Sequence, residues 1–365
     1  MESCKVSLEI RSSFRTPLHA DTLFGALCWT YRYGYGEERL KEFLGGYEQD
    51  QPPLILSDPL PKGFLPKPIF SPFSAVTARE LAESFYGTER KRAVLGRMVI
   101  KRLRRNDLIS QRVFKDLKEG ISEKILLEKA LSLEICPKDF DYKRETCGSH
   151  LYQCPVLNLE EEKRVCPTTL ILPRQKAILR SAISRTTGRV KQPGGLFSSE
   201  ETYYPMGFQL EVYIKHQNIT RQQIQDLFKH LELWGLGKGK YHGKGKLAFI
   251  SITQEKLPES QAPNAFMTLS SYIPGPDDPN AGNYHTLVKY GKLDGHFSSG
   301  RIDPSVGHLP FKYPLLMFRC GSTFKISEGQ GLRPYYGSLI PAHWYSEIRH
   351  YGYAFPLGVR IDEEL

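Results

Sequence analysis

Residues 235–247, GLGKGKYHGKGKL, set Gly235, Gly237, Gly239, Gly243 and Gly245 among Lys238, Lys240, Lys244 and Lys246, with His242 between them. Glycine lets a main chain turn left-handed and approach another backbone, and ammonium groups held nearby attract phosphate. Three kinds of structure share that composition: a nucleotide cradle, a clamp on a sugar-phosphate chain, and a tight connection with solvated lysines and Gly235 as a helix C-cap. Spacing removes the first. A P-loop needs glycines five apart followed directly by Lys and Ser/Thr, yet five residues beyond Gly235, Gly237 and Gly239 stand Lys240, His242 and Lys244. A dinucleotide motif begun at Gly237 would need its third glycine where His242 stands. Both nucleotide motifs also run strand-to-helix, whereas this loop comes after a helical pattern and precedes a strand pattern.

Other reactive side chains are sparse. His19 and His242 are the candidates for general acid-base cleavage of RNA; otherwise His19 supports a helix entrance or a phosphate, and Asp21 reads as a cap. Cys136, Cys147, Cys154 and Cys166 each precede Pro or Gly, with His150 among them. An irregular segment with little core gains folding energy from a structural zinc, which these five residues could hold, with Cys147, His150 and Cys154 as the compact part. The usual CxxC pair is missing, so free thiols are the alternative, and no cofactor is required. Cys4, Cys28 and Cys320 lie in strand or helix patterns and read as core. No acidic pair or nucleophile motif suggests other catalysis.

The elements that must position these residues are set by periodicity. CKVSLEI (4–10) alternates as a half-buried strand, and Leu23, Leu27 and Tyr31 form one face of a helix capped by Asp21 or Thr22. Seven prolines between 52 and 72 exclude a helix there. Residues 77–134 are the most helical part, and in its basic block Val94, Leu95, Met98, Val99 and Leu103 make an inward stripe. Residues 136–204 read as an irregular arm. A strand (208–215), a helix capped by Thr220 (220–235), the glycine loop and a strand (246–253) form a compact unit, with short strands from there to the end. Short alternating strands favour antiparallel α+β sheets. The expected domains are a ferredoxin-like region at 1–135 with a basic helical insertion, the arm at 136–204, and a second ferredoxin-like (RRM-like) region at 205–365.

Composition agrees with a globular chain: 365 residues, 40% hydrophobic, 12% aromatic, and a mean hydropathy of −0.40 with no long apolar run. The charged N-terminus lacks a signal segment, and seven cysteines argue against a disulfide framework, so the expected compartment is the cytoplasm and no membrane contact is expected. The net charge is +10, but residues 90–118 alone carry +9, residues 174–191 six cations and no acid, and the glycine loop four cations and no acid. Positive charge concentrated in this way suits a phosphate-tracking surface.

The glycine loop, together with HADTLFGALCW (19–29), SAISRTTGRVKQPGGLF (181–197), LLMFRCGSTF (315–324) and HYGYAFPLGV (350–359), resembles the RAMP proteins of CRISPR systems. The chain looks most like the family of Cas-five-like subunits of Csm-type (type III-A) effector complexes, numbered four in that complex. The resemblance implies two ferredoxin-like domains and a non-catalytic role in holding the 5′ handle of crRNA. The implied neighbours are the Cas-ten large subunit and a Csm backbone RAMP subunit. It places Lys238, Lys240, His242, Lys244 and Lys246, with Gly237, Gly239, Gly243 and Gly245, along the RNA path. Arg180, Arg185, Arg189 and Lys191 would belong to a thumb-like segment over the handle, where the family more usually has an asparagine near Ser181 and an aspartate near Ser184. The alternatives are a crRNA-processing endoribonuclease of the same superfamily, which usually carries its glycine loop nearer the C-terminus, and the equivalent subunit of another type III complex.

Overall fold

The computed structural model describes residues 1–71, 74–105, 107–132, 173–190, 195–299 and 310–361. Strand β1 (Glu2–Ile10) leads into helices α1 (Ala20–Tyr35) and α2 (Glu37–Glu48) and then β2 (Leu54–Leu56). Among its described residues the proline-rich stretch forms β2, β3 (Leu60–Pro61) and β4 (Phe64–Pro66). Then come α3 (Ala75–Tyr86), α4 (Arg90–Arg105), β5 (Leu108–Ser110), α5 (Gln111–Leu117) and α6 (Glu123–Ser132), and after them β6 (Arg174–Ser181), β7 (Leu196–Tyr203), β8 (Gln209–His216), α7 (Arg221–Trp234) and β9 (Leu247–Gln254). The remaining strands are β10 (Ala265–Thr268), β11 (Gly282–Asn283), β12 (Thr286–Lys289), β13 (Leu315–Phe318), β14 (Thr323–Lys325), β15 (Leu339–Pro341), β16 (Arg349–Tyr351) and β17 (Pro356–Val359).

The first sheet is antiparallel in the order β2-β8-β1-β9. That is the 4-1-3-2 order of a βαββαβ ferredoxin-like unit, with β8 as its third strand and β9 as its fourth. The expected boundaries at 135 and 205 are therefore corrected. β8, α7, the glycine loop and β9 complete the N-terminal unit, because β1 hydrogen-bonds to β8 along one edge and β9 along the other. β3 continues the edge begun by β2, pairing with β8 at Leu60↔Glu211 and Pro61↔Leu210, and β4 to β7 with α3 to α6 are an insertion between that edge and the third strand. The second sheet, β11-β14-β10-β17, repeats the same order and is also antiparallel. No α-helix comes after Trp234 among the described residues; the hairpin β15–β16 stands in the crossover from β14 to β17, and the hairpin β12–β13 lies in the connection from β11 to β14. The architecture is α+β with two ferredoxin-type sheets.

Local signals account for the individual elements. Val6, Leu8 and Ile10 of β1 pack with Leu23 and Leu27 of α1 and Ile224, Leu227, Phe228 and Leu231 of α7 in one core, each fully buried side chain contributing about 1.5–3 kcal/mol. α7 starts with a capping box in which Thr220 and Gln223 satisfy each other's backbone N–H groups. α1 is capped otherwise than expected. His19 holds the N-cap position without a side-chain bond, and Asp58, from the turn after β2, accepts the Ala20 N–H at 2.7 Å. Asp21 is unavailable because it pairs with Lys289. In α4 the expected stripe also differs. Val94 is exposed while Ala93 and Ile100 are buried, and the side chains of Leu95, Met98, Val99 and Leu103 lie outside the described set.

The two units share one core and a polar seam. Tyr351 stacks on Phe24 at 4.5 Å and accepts the Leu56 N–H through its hydroxyl oxygen. At the seam Asp21 Oδ2 lies 3.7 Å from His350 Nε2, and Lys312 Nζ lies 3.4 Å from His350 Nδ1. Burial, aided by Lys312 and Lys289 and opposed by Asp21, pushes His350 down to about 4. The unfolded value is about 6.5, so the neutral imidazole stabilises the fold above that pH, and the contribution is lost as pH falls toward 4. Urea midpoints should therefore drop between pH 7 and 4, and His350→Gln should flatten that part of the profile.

Candidate nucleic-acid interface

The glycine loop is built against the segment that leaves β1. Leu236 and Gly245 are joined by a 2.8 Å backbone bond. Gly245 N–H donates to Ser13 O at 2.9 Å, Lys246 N–H to Ser12 Oγ at 2.8 Å, and Lys238 N–H to Thr16 Oγ1 at 2.8 Å. All five glycines have positive φ. A Cβ at Gly245 would stand 2.0 Å from Leu236 O, and one at Gly237 would stand 2.9 Å from Thr16. Gly239 likewise faces Arg15 and Lys244; only Gly243 has nothing within 4 Å of a Cβ. The space expected to admit a visiting backbone is thus occupied at Gly237, Gly239 and Gly245 by the chain itself. Gly235 does serve as the C-cap of α7.

The lysines divide in the same way. Lys240 pairs with Asp294. Lys244 reaches Glu201 at 3.0 Å and Ser13 Oγ at 3.0 Å, and Lys246 donates to Leu233 O at 3.3 Å. Lys238 and His242 are exposed. His242 closes a single 3₁₀ turn, Lys240–His242, between the left-handed Gly239 and Gly243.

Beside the loop rises a two-stranded ribbon, β6 paired with β7 from Arg174↔Tyr203 to Ser181↔Leu196. Within the expected irregular arm, these residues are ordered. At about 3.3 Å per residue each strand is about 26 Å long. Pleating places Arg174, Lys176, Arg180, Phe197 and Tyr203 on one face, with Lys176 Nζ 5.5 Å above the Tyr203 ring. Cations interleaved with aromatic rings are what single-stranded nucleic acid uses. Arg185 and Arg189 are exposed toward the tip. Lys191 and the zinc candidates Cys136, Cys147, His150, Cys154 and Cys166 lie outside the described residues. Among the described residues no three His, Cys, Asp or Glu side chains gather into a metal site.

Glu201 ties loop, ribbon and β1 exit together. Its buried carboxylate accepts from Arg180, Lys244, Ser13 Oγ at 3.3 Å and Tyr203 OH at 3.1 Å, and Arg15 Nε lies 3.9 Å away. Burial alone would raise its pKa, but hydrogen bonds from Lys244, Arg180 and Tyr203 outweigh burial and hold it at about 2. Three cations on one carboxylate leave a surplus of two positive charges, and among the described residues Arg15 Nε is buried without a hydrogen-bond partner. Glu201, Arg15 and Ser13 escaped the sequence reading; the adjacent acids in SSEET (198–202) were the only signal. His19 belongs elsewhere. Its Nδ1 lies 3.3 Å from Asp58 and 3.2 Å from Ser271 Oγ, at the seam. Both partners share one ring nitrogen, so this is no relay from a nucleophile through a base to an acid.

A model of the RAMP superfamily matches residues 7–248, and the chain belongs to that superfamily. The matched span coincides with the first ferredoxin-like unit, its insertion and the glycine loop. Among solved structures the fold is similar to a chain in the crystal structure of a Csm3–Csm4 subcomplex in the type III-A CRISPR-Cas interference complex. That match has 18% identity over 99% of this chain and 100% of that one, with a TM-score of 0.55. A chain in a Csm1–Csm4 cassette complexed with pppApA matches at 16% identity over 100% of both chains, TM-score 0.52. No curated protein sequence matches significantly.

Replacing Glu201 by Gln should leave the three cations without a counter-charge and loosen the ribbon, read as faster proteolysis within 173–203 at pH 7. Because its folded pKa is depressed, the stabilisation by Glu201 is present above about 4.5 and lost as pH falls toward about 2. The variant should therefore show a shallower acid limb of thermal unfolding.

Proposed function

We propose that this chain is a non-catalytic RNA-binding subunit of a type III CRISPR effector complex, holding the 5′ handle of crRNA between its glycine loop and its ribbon. The observation that carries the reading is the surplus of positive charge around Glu201, onto which Arg15, Arg180 and Lys244 converge. It is continued by exposed Lys238 on the loop, near the exposed ring of His242, and by Arg185 and Arg189 on the ribbon. Phosphates supply the missing counter-charge, and bases of a single strand reach the aromatic face of the ribbon. The fold likeness to chains of Csm1–Csm4 and Csm3–Csm4 structures supports a Csm-type assembly, with a Cas-ten large subunit and a backbone RAMP subunit as partners. The same assembly supports a cytoplasmic location, and no described helix is long and apolar enough to cross a membrane.

The functional lysines are fewer than the sequence suggested. Lys238→Ala, removing a side chain that makes no bond to another described residue, should weaken binding to a handle RNA and lower the salt slope by about one. Arg185→Ala and Arg189→Ala should act alike. Lys244→Ala should instead lower the melting temperature, since it uncovers Glu201. Unchanged affinity and slope in a combined Lys238, Arg185 and Arg189 variant would remove loop and ribbon from the interface. Incubating the purified protein with a repeat-containing transcript tests the absence of chemistry: specific cleavage abolished by His19→Ala or His242→Ala would make it an endoribonuclease.

A further inference from the structure

The helical face of the first unit carries a second feature, which rests on the RNA-binding role proposed for the loop and ribbon but lies apart from the Glu201 cluster. Trp29 and Tyr33, one turn apart on α1, stack at 5.7 Å with planes 28° apart. Tyr33 stacks in turn on Trp234, the last residue of α7, at 4.9 Å and 25°. Tyr241, at the centre of the 3₁₀ turn in the glycine loop, lines the same cleft. A core would bury such rings, yet Tyr33 is 57% exposed, Trp234 45% and Tyr241 74%.

The cleft is closely packed. A Cβ at Gly295 would stand 2.5 Å from the Trp29 ring, so glycine alone lets that backbone close on it. Lys240, paired with Asp294, lies 5.3 Å over the Tyr241 ring. Arg32 lies 5.5 Å over Trp29, and Lys246 is bonded to the carbonyl next to Trp234. Tyr241 has no ring partner among the described residues, and Trp234 stacks on Tyr33 alone. A nearly parallel stack of Trp29, Tyr33 and Trp234, with Trp234 and Tyr241 exposed in one cleft, suits the π-face of a base. A protein-docking patch would bring aliphatic side chains, and beside Trp234 the exposed aliphatic residue among the described ones is Leu233.

We propose that Trp234 and Tyr241 form a stacking site for one unpaired base of single-stranded RNA, extending the bound strand from the glycine loop onto the α1–α7 face. The stack is indifferent to base identity and contributes affinity without counterion release.

The test uses the full chain and a single-stranded RNA of the handle carrying 5-iodouridine at successive positions. Photocrosslinks should map to Trp234 or Tyr241. Tyr241→Ala and Trp234→Ala should each weaken binding about tenfold with an unchanged salt slope, while Trp234→Phe should retain most of the affinity. Tyr241 is exposed, so the alanine variant should keep the wild-type melting temperature. Crosslinks confined to the ribbon, with full affinity in both alanine variants, would overturn this site and leave the loop and ribbon reading standing. A wild-type chain that binds no RNA would overturn both. Loss of a co-purifying protein in Tyr241→Ala with RNA affinity intact would assign the rings to a protein partner and likewise overturn the proposal.

Discussion

The position of β1 between β8 and β9 is the constraint on which the rest depends. A strand of nine residues finds both its hydrogen-bonding partners some two hundred residues later in the chain. Once that register is set, the residues leaving β1 lie along the glycine loop, and their main-chain and hydroxyl groups close it. Every part of the candidate interface is hung from that pairing. The ribbon is attached there too, through the Phe14↔Thr202 bridge. Shifting β1 by one residue would exchange the faces of Val6 and Leu8 with those of Lys5 and Ser7, so the core enforces the geometry of the site.

Much of the local structure was legible in the sequence. Periodicity located β1, α1, α7, β9 and most C-terminal strands, because burial of one face writes its period directly into residue types. The antiparallel α+β class and the strand orders agree with the ferredoxin-like expectation, and the superfamily match agrees with the resemblance. Domain membership was not legible. Proximity along the chain placed β8, α7 and β9 with the C-terminal strands, whereas backbone pairing places them with β1 at the very beginning. No local pattern encodes which distant strand a given strand will meet.

The charge pattern misled in an instructive way. Counting cations made the four loop lysines equivalent, yet Lys240 and Lys244 meet carboxylates from residues 294 and 201, and Lys246 meets a helix-end carbonyl. Favourable electrostatics inside a protein draw charges toward one another, so a basic segment is as much a demand for internal acids as an invitation to external ones. Glu201 shows this at its strongest. The useful measure is local surplus, and it resides on Arg15, Arg180 and Lys244 taken together. The helix cap makes the same point, since Asp58 serves α1 from beyond the next helix while Asp21, in the expected place, is drawn off to Lys289.

The insertion between β2 and β8 also bears on synthesis. β1 and α1 emerge first, but the strands that flank β1 end at residues 216 and 254. At about 5–20 residues per second a ribosome needs about 10–50 s to reach them. Through that interval an apolar strand with two open edges waits without its neighbours, while the helices of the insertion, whose contacts are local, can already assemble. The order of biogenesis therefore runs opposite to the order of the sequence: the inserted part is first to fold, and the sheet that frames it closes last. A nascent chain of this design holds its first strand unpaired until its partners arrive.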